Sequence, residues 1–135
     1  MTSWAGDNFG TVIREVAIAV ELGRPALIHG DQVVDWQAFD RLTDAIAVGL
    51  LAAGLRPGDA VGHQLRNSPA YMIAFFACTK AGLIPVNVNY HYRGAELADI
   101  LMRFEIRAVV QNSEFADVLA DASARGAVVD HVFTV

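Results

Sequence analysis

The sequence predicts an α/β domain in which β and α elements alternate around a mostly parallel sheet flanked by helices. Three observations carry this. Short apolar runs alternate with longer stretches whose apolar residues recur at helical spacing. The connections between them are short, as in packed βα units. Hydrophobic residues make up 54% of the chain and charged residues 19%. That balance suits a sheet covered on both faces, or a piece whose partner surface lies elsewhere. At 135 residues the chain fits one domain with a real core.

The spacing predicts a first helix over Asn8 to Leu22, with Phe9, Val12, Val16, Ala19 and Val20 as its packing stripe. Gly23 and Pro25 stop it. Ala26 to His29 and Val33-Val34 read as two short strands around a Gly30-Asp31 turn, a small hairpin. Asp35 is an N-cap for a helix reaching about Ala53, with Trp36, Phe39, Leu42, Ile46 and Leu50 on its core face. Gly54 then supplies the left-handed residue of a Schellman ending, and Leu55 is placed to meet Leu50. Pro57-Gly58-Asp59 turns the chain into a strand over Ala60 to Leu65.

A second unit repeats this logic. Ser68 is an N-cap and Pro69 occupies the first helical position, where its missing N–H costs nothing. The helix to Ala81 is apolar almost all round, so burial on more than one side is expected. It leaves through Ala81-Gly82-Leu83-Ile84-Pro85, the pattern of Ala53 to Pro57 used again. A strand at Ile84 to Val88 leads into the polar and aromatic loop Asn89 to Gly94. A helix over Ala95 to Phe104, a strand at Ala108 to Val110, a helix over Glu114 to Ala124 and a strand from His131 to Val135 complete the pattern.

Several function classes are disfavoured. Ten Lys+Arg against fifteen Asp+Glu give a net charge of −5, and no basic run is present, so no nucleic-acid partner is expected. No apolar stretch is long enough for a transmembrane segment. Asp7, Arg14, Glu15 and Glu21 interrupt any signal-peptide core. The lone Cys78 lies in an apolar stretch and reads as a buried, reduced thiol. A cytoplasmic location follows, with peripheral membrane contact through the N-terminal helix and Arg14 or Arg24 as a lesser option.

The chemistry-bearing residues have plain structural readings. The glycines fall singly at turns, with neither a dinucleotide fingerprint nor a P-loop. His29, His63, His91 and His131 lie on separate elements without metal-ligand spacing and read as satisfied structural or surface histidines. Ser68 is explained by its helix start and Asn67 by a turn. Only the loop Asn87 to Arg93 concentrates polar and aromatic groups past a strand's carboxyl end, where open α/β sheets bind ligands. It reads as a wall of a substrate site or as a loop tied down by its own hydrogen bonds, the second being favoured.

The order of the segments resembles AMP-forming ligases. Ala26-Leu27-Ile28, a turn and Asp35-Trp36-Gln37-Ala38-Phe39-Asp40 resemble the opening strand and helix of that family. Gly54 to Val61 is similar to its G-hydrophobic-x-x-G-D-x-V stretch, and Leu65-Arg66-Asn67-Ser68 with Tyr71 to its helix entry. Lys80-Ala81-Gly82-Leu83-Ile84-Pro85 and Asn89, Tyr92, Glu96-Leu97 continue in register, so that residues 24–112 are covered. Ala38 and Arg93 depart from the family's acidic residue and Thr/Ser cap.

The resemblance implies part of an acyl-CoA synthetase that activates a carboxylic acid, such as a fatty acid, with ATP and Mg²⁺. The acyl group then passes to coenzyme A. It implies that residues 1–135 are one truncated N-terminal subdomain, with a helix in 1–23 and the α/β part in 24–135. The catalytic, cofactor-binding and metal residues of the family lie downstream, so none is assigned here and this stretch is expected to be inactive alone. Its partner is the remainder of the ligase, and exposed faces predict self-association. A short non-catalytic binding or assembly module, and a doubly wound domain binding nucleotide or flavin, are the alternatives.

Overall fold

The computed structural model describes residues 8–135; the first seven residues of the expected 1–23 segment lie outside them. Helix α1 (Thr11–Ala19) precedes a hairpin of β1 (Pro25–His29) and β2 (Gln32–Asp35). Then come α2 (Trp36–Ala52), β3 (Ala60–Gln64), α3 (Pro69–Lys80) and β4 (Ile84–Asn87). Helix α4 (Gly94–Arg103), β5 (Ile106–Gln111), a single 3₁₀ turn (Ser113–Phe115), α5 (Ala116–Ala124) and β6 (His131–Thr134) complete the chain.

The main sheet has the order β4-β3-β5-β6, and all its pairs are parallel. Through α3 the chain moves from β3 to β4 on one side. Through α4 it returns across β3 to β5 on the other. The direction of winding therefore reverses between β3 and β5. Alternation along the strands sends Val61 and Leu65 toward Leu50 of α2 and Ala74, Ala77 and Cys78 of α3. The opposite face packs Val88, Ile106 and Val109 against Leu97, Leu101, Leu119 and Ala122 of α4 and α5. Gly62 fits closely there, since a Cβ would stand 3.1 Å from Val88 Cγ2 and 3.3 Å from Ile106 Cγ2. A third cluster, Ile13, Val34 and Phe39, joins α1 and the hairpin to α2. Full burial of Phe39, 2% exposed, stabilises this junction by about 2 kcal/mol.

The helix ends follow the expected chemistry. The Asp35 carboxylate accepts from Ala38 N–H at 2.7 Å. Leu55 N–H donates to Leu50 O and Gly54 N–H to Leu51 O, the Schellman pair. Leu83 N–H to Cys78 O and Gly82 N–H to Thr79 O repeat it after α3. Helix α5 ends the same way at Gly126 and Ala127. After α4 the left-handed position falls on Glu105, with φ of 49°.

Four sequence expectations are corrected. The first helix is shorter, and its buried residues are Ile13 and Ala17 rather than the Phe9–Val12–Val16 stripe. Small Ala17 allows close approach to α2, and Phe9 stays exposed while stacking on Phe76 at 5.8 Å. On α2 the buried line is Phe39, Thr43, Ala47 and Leu50, with Leu42 and Ile46 partly open. Thr43 fits the interior because its hydroxyl donates to the Phe39 carbonyl at 2.8 Å. Ser68 holds the N-cap position, but its hydroxyl makes no cap bond. Finally, β5 runs from Ile106 rather than Ala108, and Glu114 lies in the 3₁₀ turn that precedes α5.

Candidate functional site

The carboxyl ends of β3, β4 and β5 gather most of the polar side chains that are buried without partners. His63, Gln64 and Gln111 are buried at the ends of the two central strands, the first two completely. His63 Nδ1, both amide atoms of Gln64, Ser68 Oγ and Gln111 Oε1 have no hydrogen-bond partner. Buried polar atoms are nearly always paired in folded proteins. They concentrate where the winding reverses, the edge at which open α/β sheets bind ligands. Gln64 and Gln111 are register partners, so their amides stand side by side on the α4/α5 face.

His63 lies on the other face. Its Nε2 is 3.4 Å from Cys78 Sγ, and its ring meets Tyr71 edge-on at 5.8 Å. Burial lowers the His63 pKa to about 4 and pushes the Cys78 thiol up to about 12. A thiolate–imidazolium nucleophile requires shifts of the opposite sign. This pair is therefore neutral, and Cys78 is the buried thiol that the sequence predicts. Of the four histidines, His63 departs from expectation: it is structural but not satisfied. His29 and His91 are exposed and His131 is half-buried.

The loop after β4 lines an open cleft of about 480 Å³ with Leu65, Asn67 and Tyr71 on one side and Asn87, Asn89, Tyr90 and His91 on the other. The loop is also tied to itself. The Asn89 side chain accepts from His91 N–H at 2.9 Å, and Arg93 Nη1 donates to the carbonyls of Tyr90 and Tyr92. Both readings of this loop thus have a physical basis. Arg93 secures carbonyls where a Thr or Ser would cap α4, and it makes no cap bond.

Arg66 spans the same end of the sheet. Its guanidinium pairs with Glu114 at 2.6 and 3.0 Å and lies over the Tyr90 and Phe115 rings at 5.0 and 5.6 Å. Its backbone N–H donates to Asn112 Oδ1 at 2.8 Å. Hydrogen bonding to Arg66 holds the Glu114 carboxyl below its ordinary range. Nothing in the spacing of residues 66, 90 and 114 announced this staple, because only the parallel register brings the three strand ends together.

A second charged group ties the helices on the far side. Lys80 Nζ contacts Asp40 Oδ1 at 2.6 Å and Asp44 Oδ1 at 2.7 Å, and Arg14 pairs with the same two carboxylates. Arg14 therefore packs α1 onto α2, as the edge-helix reading of the sequence requires. These carboxylates are already neutralised. Among the described residues, no group of three or more His, Cys, Asp or Glu is arranged for a metal.

Fold and motif order together define an α/β domain whose parallel sheet reverses its winding between β3 and β5. A family model described as AMP-binding enzyme matches residues 14–135, and the chain belongs to that family. It is 35% identical over 129 residues to a medium/long-chain-fatty-acid–CoA ligase, FadD6, of Mycobacterium tuberculosis, covering 95% of this chain and 21% of that protein. A feruloyl-CoA synthase of an Amycolatopsis species is 33% identical over 99 residues, covering 73% of this chain and 20% of its own. The chain thus spans about a fifth of the length of the curated relatives it matches. Its fold is shared with a benzoate CoA ligase from Burkholderia xenovorans, with a TM-score of 0.86 at 18% identity, over 96% of this chain and 26% of that one. The N-terminal domain of FACL13 from Mycobacterium tuberculosis superposes with a TM-score of 0.83 at 21% identity, over 95% of this chain and 34% of that one.

Proposed function

We propose that residues 1–135 form the N-terminal part of an ATP-dependent acyl-CoA synthetase. Such an enzyme converts a carboxylate and ATP to an acyl-adenylate and pyrophosphate, then transfers the acyl group to the thiol of coenzyme A. The observation that carries this reading is the family match over residues 14–135. A medium- or long-chain fatty acid is the substrate class favoured, from the relative at 35% identity.

Within that enzyme the chain is a scaffold subdomain, with helix α1 held onto the 24–135 part by the Arg14–Asp40–Lys80 network. None of its residues is assigned a catalytic, cofactor-binding or metal role. Its contribution is a wall: the Asn87–Arg93 loop and the Arg66 staple hold the carboxyl edge of the sheet rigid. Charge neutralisation for attack on the α-phosphate would come from the remainder of the ligase, in the cytoplasm, with ATP and Mg²⁺ bound there. No helix of the described residues is long and apolar enough to cross a membrane.

A second reading is a short non-catalytic assembly module. It is favoured by three core clusters formed within the described residues. Immunoblotting of source cells with an antibody to this segment separates the two. The ligase reading expects a polypeptide several times longer, which then supports ATP–pyrophosphate exchange with fatty acids ahead of hydroxycinnamic acids. A single band at the size of this chain, with no exchange activity, would sink it.

A further inference from the structure

Strand β5 carries one residue more than β3 over their shared length. Ala60 pairs with Ile106 but Val61 pairs with Ala108, so Arg107 is the extra residue of a bulge. Its side chain leaves the sheet for Asp130. Above the bulge, Ala108 and Val110 face α2 and α3, and Val109 faces α4 and α5 on the same side as Ile106. Without the bulge, each of these three side chains would move to the opposite face.

Hydrophobic burial does not choose between the two registers, because Ala108, Val109 and Val110 are all apolar and both faces are cores. The polar residues at either end do choose. At the amino end, Arg107 would stand beside the fully buried Val61 if the bulge closed. At the carboxyl end, Gln111 would leave Gln64 and enter the α2/α3 layer beside Leu65. In the bulged register the two glutamines are direct partners, 0% and 3% exposed. Gln64 Nε2, Gln64 Oε1 and Gln111 Oε1 are closed off from solvent by the chain itself and have no other partner to give up. A further segment of a longer chain would not reach them without opening the sheet.

We propose that Gln64 and Gln111 form a register lock: Gln64 Nε2–H donates to Gln111 Oε1, and the pair fixes the carboxyl end of β5 against β3. Side-chain amide ladders join in-register parallel strands in this way, and buried polar pairs fix register in other folds. The two glutamines are positioning residues for the polar end of the sheet. One residue of slip moves the strand end by about 3.3 Å. That displaces Asn112, which accepts from Arg66 N–H at 2.8 Å, and Glu114, which meets the Arg66 guanidinium at 2.6 and 3.0 Å. Tyr90, whose ring lies under the same guanidinium, then loses its support at the wall of the cleft.

The test is nuclear magnetic resonance on the 135-residue chain, with thermal unfolding of the same samples. In wild type the Gln64 side-chain amide protons exchange slowly with water and show contacts to Gln111. Gln64→Leu and Gln111→Leu each leave one buried amide without its partner, and each lowers the melting temperature by about 5 °C. The double variant regains most of that loss, yet its β5 amides split into two sets of signals, only one of which keeps the Gly62–Val109 cross-strand contact. In the other set the Glu114 carboxyl titrates in its ordinary range, whereas in wild type Arg66 holds it below that range. A double variant with one set of signals, the wild-type contact and a low Glu114 titration overturns the register lock. Fast exchange of the Gln64 side-chain amide in wild type overturns the pairing itself, and does so even if the variants fail to fold.

Discussion

Acid should destabilise this fold through His63, over a pH window that the structure fixes. The ring is fully buried at the end of β3, with Tyr71 and Cys78 against it and Nδ1 unpartnered. Its folded pKa is lowered to about 4 from an ordinary value of 6.5. Between those values the unfolded chain binds one proton more than the folded chain, so stability rises with pH across the window. The contribution is fully present above pH 6.5, declines as the pH falls below it, and is gone near pH 4. At 1.36 kcal/mol per unit, the whole effect is roughly 3 kcal/mol, and about 2 kcal/mol of it is already lost at pH 5. That is a large part of the 5–15 kcal/mol typical of a domain. The assay is urea unfolding by tryptophan fluorescence at a series of pH values and one protein concentration, on wild type and His63→Gln. Wild type should lose stability steeply from pH 6.5 downward, and the variant, whatever its starting stability, should be much flatter down to about pH 5. Equal slopes for the two proteins would show that His63 takes up its proton without opening the fold, and would refute this account of its burial.

Two further perturbations probe the local structure. Glu105 holds a left-handed conformation after α4 where the other Schellman endings use glycine, so Glu105→Gly should stabilise by about 1 kcal/mol and raise the melting temperature by roughly 3–5 °C. Lys80 is part-buried between Asp40 and Asp44, its side chain 9% exposed, whereas the Arg14 side chain is 55% exposed. Lys80→Met should therefore cost about 2 kcal/mol in urea unfolding, and Arg14→Met less than about 1 kcal/mol; equal losses would contradict the ranking by burial.

The carboxyl end of the sheet was only partly legible beforehand. The Asn87–Arg93 loop stands out in the sequence because polar and aromatic residues cluster within it, past a strand. Gln64 and Gln111 do not stand out, since two glutamines 47 positions apart carry no pattern until β3 and β5 pair. His63 reads as ordinary because a single strand histidine gives no sign of whether its ring nitrogens will find partners. The Arg66 staple depends likewise on three strand ends meeting.

By itself the sequence determined the order of the elements and several of their ends: the Asp35 cap, the Gly54 and Gly82 exits, and the alternation that makes a parallel α/β sheet. These are local, set by backbone conformations and hydrogen bonds within a few residues, so neighbouring letters suffice to specify them. It also determined the family, because ordered motifs over residues 24–112 constrain one another. Only the tertiary structure decided which helix faces are buried. Periodicity gives α1 and α2 broad apolar stripes, and close packing selects Ile13, Ala17, Thr43 and Ala47 from or beside them. The strand order, the reversal between β3 and β5 and the unpaired polar atoms at that reversal were likewise decided there. Each depends on contacts between residues far apart in the chain, and their energies exist only once the sheet has formed.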